Sequence, residues 1–169
     1  MQVISGIYRG KNLKSPQSDK THPMGSREKL ALFNILLPYL ENAVVLDAFA
    51  GTGALGIEAL SRGAAAVTFV EKDHKVTKTL RENVADINGA TIVEKNIESF
   101  VAEPESFDLI IADPPYNNFD TGAIESLLSF LKPNGILALS HPGDAPAFNG
   151  LELIKSRNYA GATISIYQK

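Results

Sequence analysis

Asp113-Pro114-Pro115-Tyr116 concentrates more usable chemistry than any other four consecutive residues of this chain. The acid accepts hydrogen bonds from an amino group, and the prolines offer carbonyls with no competing N–H. Tyr116 adds an aromatic face. Together they suit a flat base or an amide gripped through its amino group. The tetrapeptide follows Phe107-Asp108-Leu109-Ile110-Ile111-Ala112, an apolar run of strand length, so it falls where a buried strand stops. Two proline-fixed φ angles make the backbone there a rigid bracket. A strand-ending turn with a helix-capping Asp would use the same residues, so the rest of the chain has to decide.

Gly51-Thr52-Gly53-Ala54-Leu55-Gly56 matches the dinucleotide-binding fingerprint, and Glu71 stands 20 positions after Gly51, where a ribose-binding acid belongs. Asp47 argues against NAD or FAD. It ends the preceding strand and sets a negative charge beside a turn that would have to accept a pyrophosphate. A phosphate-free cation would welcome that charge. S-adenosylmethionine is such a ligand, with an ammonium, a sulfonium and a ribose diol. The glycine turn is then expected to approach its methionine moiety, with Asp47 on the ammonium side. Glu71 would accept from both ribose hydroxyls, as an ionised carboxylate is acceptor-only. Asn96 and Ile97, just past the third strand, are placed to read the adenine edge.

These residues need a scaffold of alternating elements. Strands are expected at 43–47, 67–71, 91–93, 107–113 and 135–140, with helices at 54–62, 73–87, about 98–102 and about 122–131. Leu30, Phe33, Leu37 and Leu40 recur at helical spacing, with Ser26 as N-cap. This alternation predicts an α/β fold with a mostly parallel sheet, helices on both faces and right-handed crossovers. Leu151–Lys155 and Thr163–Tyr167, with no helix between them, should form an antiparallel edge hairpin. Residues 3–14 read as a short hairpin turning near Gly10, followed by a polar loop from Ser15 to Ser26.

With 169 residues, 44% of them hydrophobic and 21% charged, the chain is expected to be one soluble domain spanning 1–169, with 1–23 as an N-terminal extension. There is no cysteine, which removes disulfides, thiolate zinc sites and a cysteine nucleophile. The three histidines are scattered, so no metal site is expected. No apolar run approaches a membrane span and no signal peptide is visible, so a cytoplasmic location is expected. Through Leu30, six basic residues meet two acidic ones. The first thirty residues thus carry +4 and the remainder −7 of the overall −3. One end is suited to a polyanion and the body is not.

The run Asp47-Ala48-Phe49-Ala50-Gly51-Thr52-Gly53-Ala54-Leu55-Gly56-Ile57-Glu58-Ala59-Leu60, then Glu71, then Asp113-Pro114-Pro115-Tyr116, resembles the bacterial 16S rRNA guanine-N2 methyltransferases. Tyr8-Arg9-Gly10-Lys11-Asn12-Leu13, Ala31-Leu32-Phe33-Asn34-Ile35-Leu36 and Tyr159-Ala160-Gly161-Ala162-Thr163 extend the resemblance over essentially the whole chain. It implies a Rossmann-like methyltransferase with a seven-stranded sheet, using S-adenosylmethionine and no metal, acting as a monomer on 16S rRNA within the small ribosomal subunit. It also implies cofactor contacts from Asp47, Phe49, Ala50, Gly51, Gly53, Glu71, Lys72, Asn96 and Ile97, and catalysis by Asp113, Pro114, Pro115 and Tyr116. His22, Met24 and Leu30 stand where the family usually has Arg, Thr and an acid, and they touch neither chemical motif.

Arg9, Lys11, Lys14 and Arg27 are the expected phosphate contacts. Asp113 and the Pro114 carbonyl would hold the guanine amine with its lone pair toward the sulfonium methyl, while Tyr116 stacks on the base. Three alternatives stay open: an amino-methyltransferase acting on adenine N6 or on protein glutamine, an NAD oxidoreductase, and a non-catalytic RNA-binding module.

Overall fold

The computed structural model describes residues 1–16, 24–159 and 161–169. Lys20, His22 and Pro23, with part of the expected Ser15–Ser26 loop and Ala160 of the closing hairpin, lie outside the described residues.

Seven strands form the sheet: β1 (Val44–Asp47), β2 (Ala66–Glu71), β3 (Ala90–Glu94), β4 (Phe107–Ala112), β5 (Leu131–His141), β6 (Glu152–Tyr159) and β7 (Ala162–Gln168). Their order is β3-β2-β1-β4-β5-β7-β6. The first five run parallel, and β7 pairs antiparallel with both β5 and β6. The α/β sheet with a closing antiparallel hairpin is the one the alternation predicts.

Period-two alternation sends side chains to two cores. Val45, Phe69, Leu109 and Ile111 face α1 (Ser26–Leu36), α2 (Ala54–Ser61) and α3 (His74–Val84), which contribute Phe33, Ile57 and Leu80. Leu46, Val70, Ile110 and Ala112 face the other way, onto Ile97, Ile124 and Leu127. Asp73 caps α3 by accepting from the amides of Lys75 and Val76. Among the described residues no helix is long and apolar enough to cross a membrane.

Several elements differ from expectation. Helix α1 buries Lys29, Leu32, Phe33 and Leu36, while Leu30 and Leu37 are exposed. Its N-cap is Gly25 instead of Ser26. The expected 122–131 helix shrinks to α4 (Thr121–Glu125) and a 3-10 turn at Leu128–Phe130. Ser126 and Ser129 bond back to the carbonyls of Ala123 and Ser126, offering the backbone an alternative to helical propagation. At 98–102 there is only a 3-10 turn, Ile97–Ser99.

The N-terminal hairpin has one bridge, Gln2 with Asn12, in place of two strands. The amides of Val3, Gly10 and Leu13 pair across it, and those of Ile4, Ser5, Ile7 and Tyr8 are spent on α2. The Glu58 carboxylate on α2, wholly buried, accepts from the N–H groups of Ile4 (2.8 Å) and Ser5 (3.0 Å). It also pairs with Arg62 (2.8 Å) and Lys29 (3.3 Å), and the Lys29 ammonium donates to the Gln2 carbonyl. Burial lowers the Lys29 pKa and the facing Glu58 opposes that shift. Ser61 takes the amides of Ile7 and Tyr8 through its carbonyl and hydroxyl. A Cβ on Gly6 would lie 1.6 Å from the Ser61 oxygen, so only glycine permits this approach. The arm is thereby stapled to the helix that begins at the glycine loop.

Candidate active site

The order β3-β2-β1-β4-β5 reverses its direction of growth between β1 and β4. Ligands of open α/β sheets bind at the carboxyl ends of the strands at such a switch point. Asp47 ends β1, Glu71 ends β2 and Asp113 follows β4, so three sequence-selected acids crowd this one edge.

Asp47 is 1% exposed. One carboxylate oxygen accepts from the Gly56 amide at 2.8 Å, and the other has no hydrogen-bond partner among the described residues. Burial raises its pKa to about 7, against the Gly56 hydrogen bond and with help from the charges of Asp113 and Glu71. A buried acceptor left without a donor is costly and calls for one. The next residues cross between strands: Ala48 N–H donates to Ile111, and Ala50 N–H to Val70.

Gly51 has φ 53°, and the space where its Cβ would stand is open. Its N–H donates to Glu71 Oε2 at 2.9 Å, while Glu71 Oε1 accepts from Asp73 N–H at 2.8 Å. Glu71 therefore shapes the loop, and its carboxylate has further lone pairs with which it could accept from a ligand's hydroxyls. Gly53 is the left-handed N-cap of α2, Ala50 is buried and Phe49 packs partly into the second core. Lys72 is exposed. Ile97 is buried, and the exposed Asn96 side chain donates to Glu98 at 3.2 Å.

Beyond β4, Pro114 is buried, Pro115 exposed, and Tyr116 opens a 3-10 turn, Tyr116–Asn118. Burial raises the Asp113 pKa to about 6, opposed by a hydrogen bond from the Ser140 side chain. The Tyr116 hydroxyl is hydrogen-bonded to the same Ser140. Burial raises the Tyr116 pKa, opposed by Ser140 and assisted by the charges of Asp113 and Glu28. Ser140 carries no motif signal, and only the packing of β5 against β4 brings it in.

Three acids and an unfilled buried acceptor fit a cationic ligand carrying a diol and repel a diphosphate. A separate hollow of about 350 Å³ lies at the opposite strand ends. Its Asp108 and Lys132 are paired with each other at 2.8 Å, and the second Asp108 oxygen accepts from Val44 N–H, so it offers no comparable demand.

Two of the four expected phosphate contacts are engaged. Lys11 pairs with Asp86, and Lys14 with Glu82 at 2.8 Å. Arg9 and Arg27 are exposed and enter no ion pair among the described residues. Arg9 lines a shallow hollow of about 300 Å³ with Ser26, the neighbour of Arg27. No group of three or more potential metal ligands occurs among the described residues. Asn83, also unselected from sequence, is buried and bridges the arm to the glycine loop.

Comparison with known proteins agrees with this frame. Ribosomal RNA small subunit methyltransferase D of Haemophilus influenzae is 33% identical over 99% of this chain and 93% of its own. The protein of the same name from Escherichia coli is 38% identical over 82% of this chain and 70% of its own. The solved structure of Escherichia coli yhhF superposes with a TM-score of 0.90 at 29% identity, covering 100% of this chain and 97% of that one. The model of the family described as "Conserved hypothetical protein 95" matches residues 1–168, and the chain belongs to that Rossmann-like methyltransferase family, together with the methyltransferase D proteins.

Proposed function

We propose that residues 1–169 form one catalytic domain that methylates the exocyclic N2 amine of a guanine in 16S rRNA, within the small ribosomal subunit. The cofactor proposed is S-adenosylmethionine. The observation that supports this reading is Asp47, with one buried oxygen unpaired among the described residues, standing close enough to Asp113 of the Asp113-Pro114-Pro115-Tyr116 bracket to feel its charge. The names of the relatives support ribosomal RNA as the substrate.

When bound, the cofactor supplies an electrophilic methyl group on sulfur. Asp47 would hold its ammonium, the turn at Gly51 and Gly53 its amino-acid end with Phe49 and Ala50 beside it, and Glu71 its ribose. Lys72, Asn96 and Ile97 would flank the nucleoside. Asp113 and the Pro114 carbonyl accept from the two N–H groups of the amine. Such orientation can supply roughly 7–11 kcal/mol of a barrier in the best cases. Asp113 would stabilise the positive charge that grows on the amine nitrogen as it takes up the methyl group. Asp113 or solvent then takes the departing proton. Pro115 keeps the bracket rigid, and Tyr116 stacks on the base for about 1–3 kcal/mol, comparable with the cost of unstacking it.

Arg9 and Arg27, which enter no ion pair among the described residues, would meet RNA phosphates, with Lys11 and Lys14 at the margin. Unmodified small subunits incubated with tritiated cofactor and digested to nucleosides should carry label in N2-methylguanosine. Label in N6-methyladenosine, or none in RNA, overturns the reading.

A further inference from the structure

We infer that Ser140 is a positioning residue for methyl transfer, tying the Tyr116 ring and the Asp113 carboxylate into one fixed arrangement beside the target amine. The inference rests on the function proposed above and adds a residue that no sequence motif contains.

The placement follows from strand register. Ala112 of β4 lies opposite Leu139 of β5, so residues 113 and 140 stand side by side where the two parallel strands end. Ser140 is 3% exposed. Its other strand neighbour is Ile164 of β7, which offers no side-chain partner. The hydroxyl instead meets the Tyr116 hydroxyl directly, and strand register sets Asp113 beside it, where Ser140 favours the ionised carboxylate.

A serine hydroxyl has one proton to give and lone pairs to receive. With Asp113 ionised, Ser140 donates to the carboxylate and accepts from Tyr116. The result is a directed chain, Tyr116 to Ser140 to Asp113, in which each bond polarises the next. It occupies one acceptor site of Asp113 and leaves the others for the amine. It also stops the Tyr116 ring from swinging off the base. A stacking face and a carboxylate that must address one amine are thus fixed to a single atom of the rigid sheet.

Ser140→Ala, Ser140→Thr, Tyr116→Phe and Ser140→Ala/Tyr116→Phe, in the full chain, would be assayed on small subunits with tritiated cofactor. Ser140→Ala should lower kcat by roughly 10- to 100-fold, the scale of one hydrogen bond to a charged group. Affinity for S-adenosylhomocysteine should hold. The acid limb of its pH–rate profile should move to higher pH, because the carboxylate loses a donor that favours its ionised form. Ser140→Thr should restore rate and profile, and the double variant should be no slower than its worse parent.

Wild-type kcat with an unmoved acid limb in Ser140→Ala, or additive losses in the double variant, would overturn the role. If Ser140→Ala does not fold, Tyr116→Phe reads the same link: a lowered kcat with a moved acid limb supports it, and a wild-type profile sinks it. Asp113→Asn separates the two levels. Full activity there would sink the proposed function itself. An inactive Asp113→Asn beside a wild-type Ser140→Ala removes only the Ser140 role.

Discussion

Asn83 and Lys14 are joined in both directions: the Asn83 amide oxygen accepts the Lys14 main-chain N–H at 2.8 Å, and its amide nitrogen donates to the Lys14 carbonyl at 3.1 Å. The same nitrogen donates to the Thr52 carbonyl at 2.9 Å, inside the glycine loop. One buried side chain therefore holds the N-terminal arm and the glycine turn together. Asn83→Ala would strand three main-chain groups, each worth about 1–3 kcal/mol where water cannot reach. We expect lost hydrogen-exchange protection at Lys14 and weaker S-adenosylhomocysteine binding by calorimetry. Retention of both would show that the bridge is dispensable.

Glu58 is the anchor of the arm. Replacing it by Ala leaves Lys29 buried without its carboxylate and removes the acceptor of Ile4 and Ser5. Breaking a buried ion pair from one side costs about 3–5 kcal/mol. Denaturant titration should show a loss of that order, and amide exchange at Ile4 and Ser5 should accelerate more than at the β4 core. Gly6→Ala should release the arm without touching the charges, through its clash with Ser61.

Asp47 makes the ligand-free protein pH-sensitive. Its folded pKa, about 7, exceeds the ordinary 3.8, so the fold prefers the protonated acid. That contribution is fully present below the unfolded pKa and fades as pH rises toward 7; its ceiling is on the order of 4 kcal/mol. The Tm of ligand-free wild type should therefore drop relative to Asp47→Asn between about pH 4 and pH 7. In the proposed function Asp47 holds the cofactor ammonium as an ionised acid, so wild-type affinity for S-adenosylhomocysteine should weaken as pH falls below about 7. An Asp47→Asn curve parallel to wild type would refute both.

Removing free cations should cost more RNA affinity than removing paired ones. Arg9→Ala and Arg27→Ala should raise KM for small subunits and flatten its dependence on salt, by about one counterion each. Lys11→Ala and Lys14→Ala also unpair Asp86 and Glu82, whose pKa values their lysine partners hold down. They should mainly loosen the arm. Equal effects across all four on the salt slope would contradict this division.

The sheet was legible because apolar runs and their punctuation are local, and every strand of β1 to β5 falls where periodicity puts it. Of the expected apolar set Leu30, Phe33, Leu37 and Leu40, Phe33 and Leu40 are buried while Leu30 and Leu37 are not, and the burial of Lys29 against Glu58, 29 positions away, is one that no local pattern announces. Asp47, Glu71 and Asp113 were legible as motif positions. Ser140 and Asn83 were not, since a serine in an apolar strand and an asparagine in a polar helix acquire their meaning only from distant segments. The pairing of Lys11 and Lys14 was hidden for the same reason, its acids lying at the far end of α3.

The stapled arm also bears on the order in which the molecule is assembled. Ile4 emerges from synthesis before its carboxylate partner, which is 54 positions further on. Until α2 has been made, the leading segment has nothing to dock against, and closing that span carries an entropic cost that grows only slowly with its length. The residues of the arm are thus made before the segment they dock on and are among the later ones to find their place.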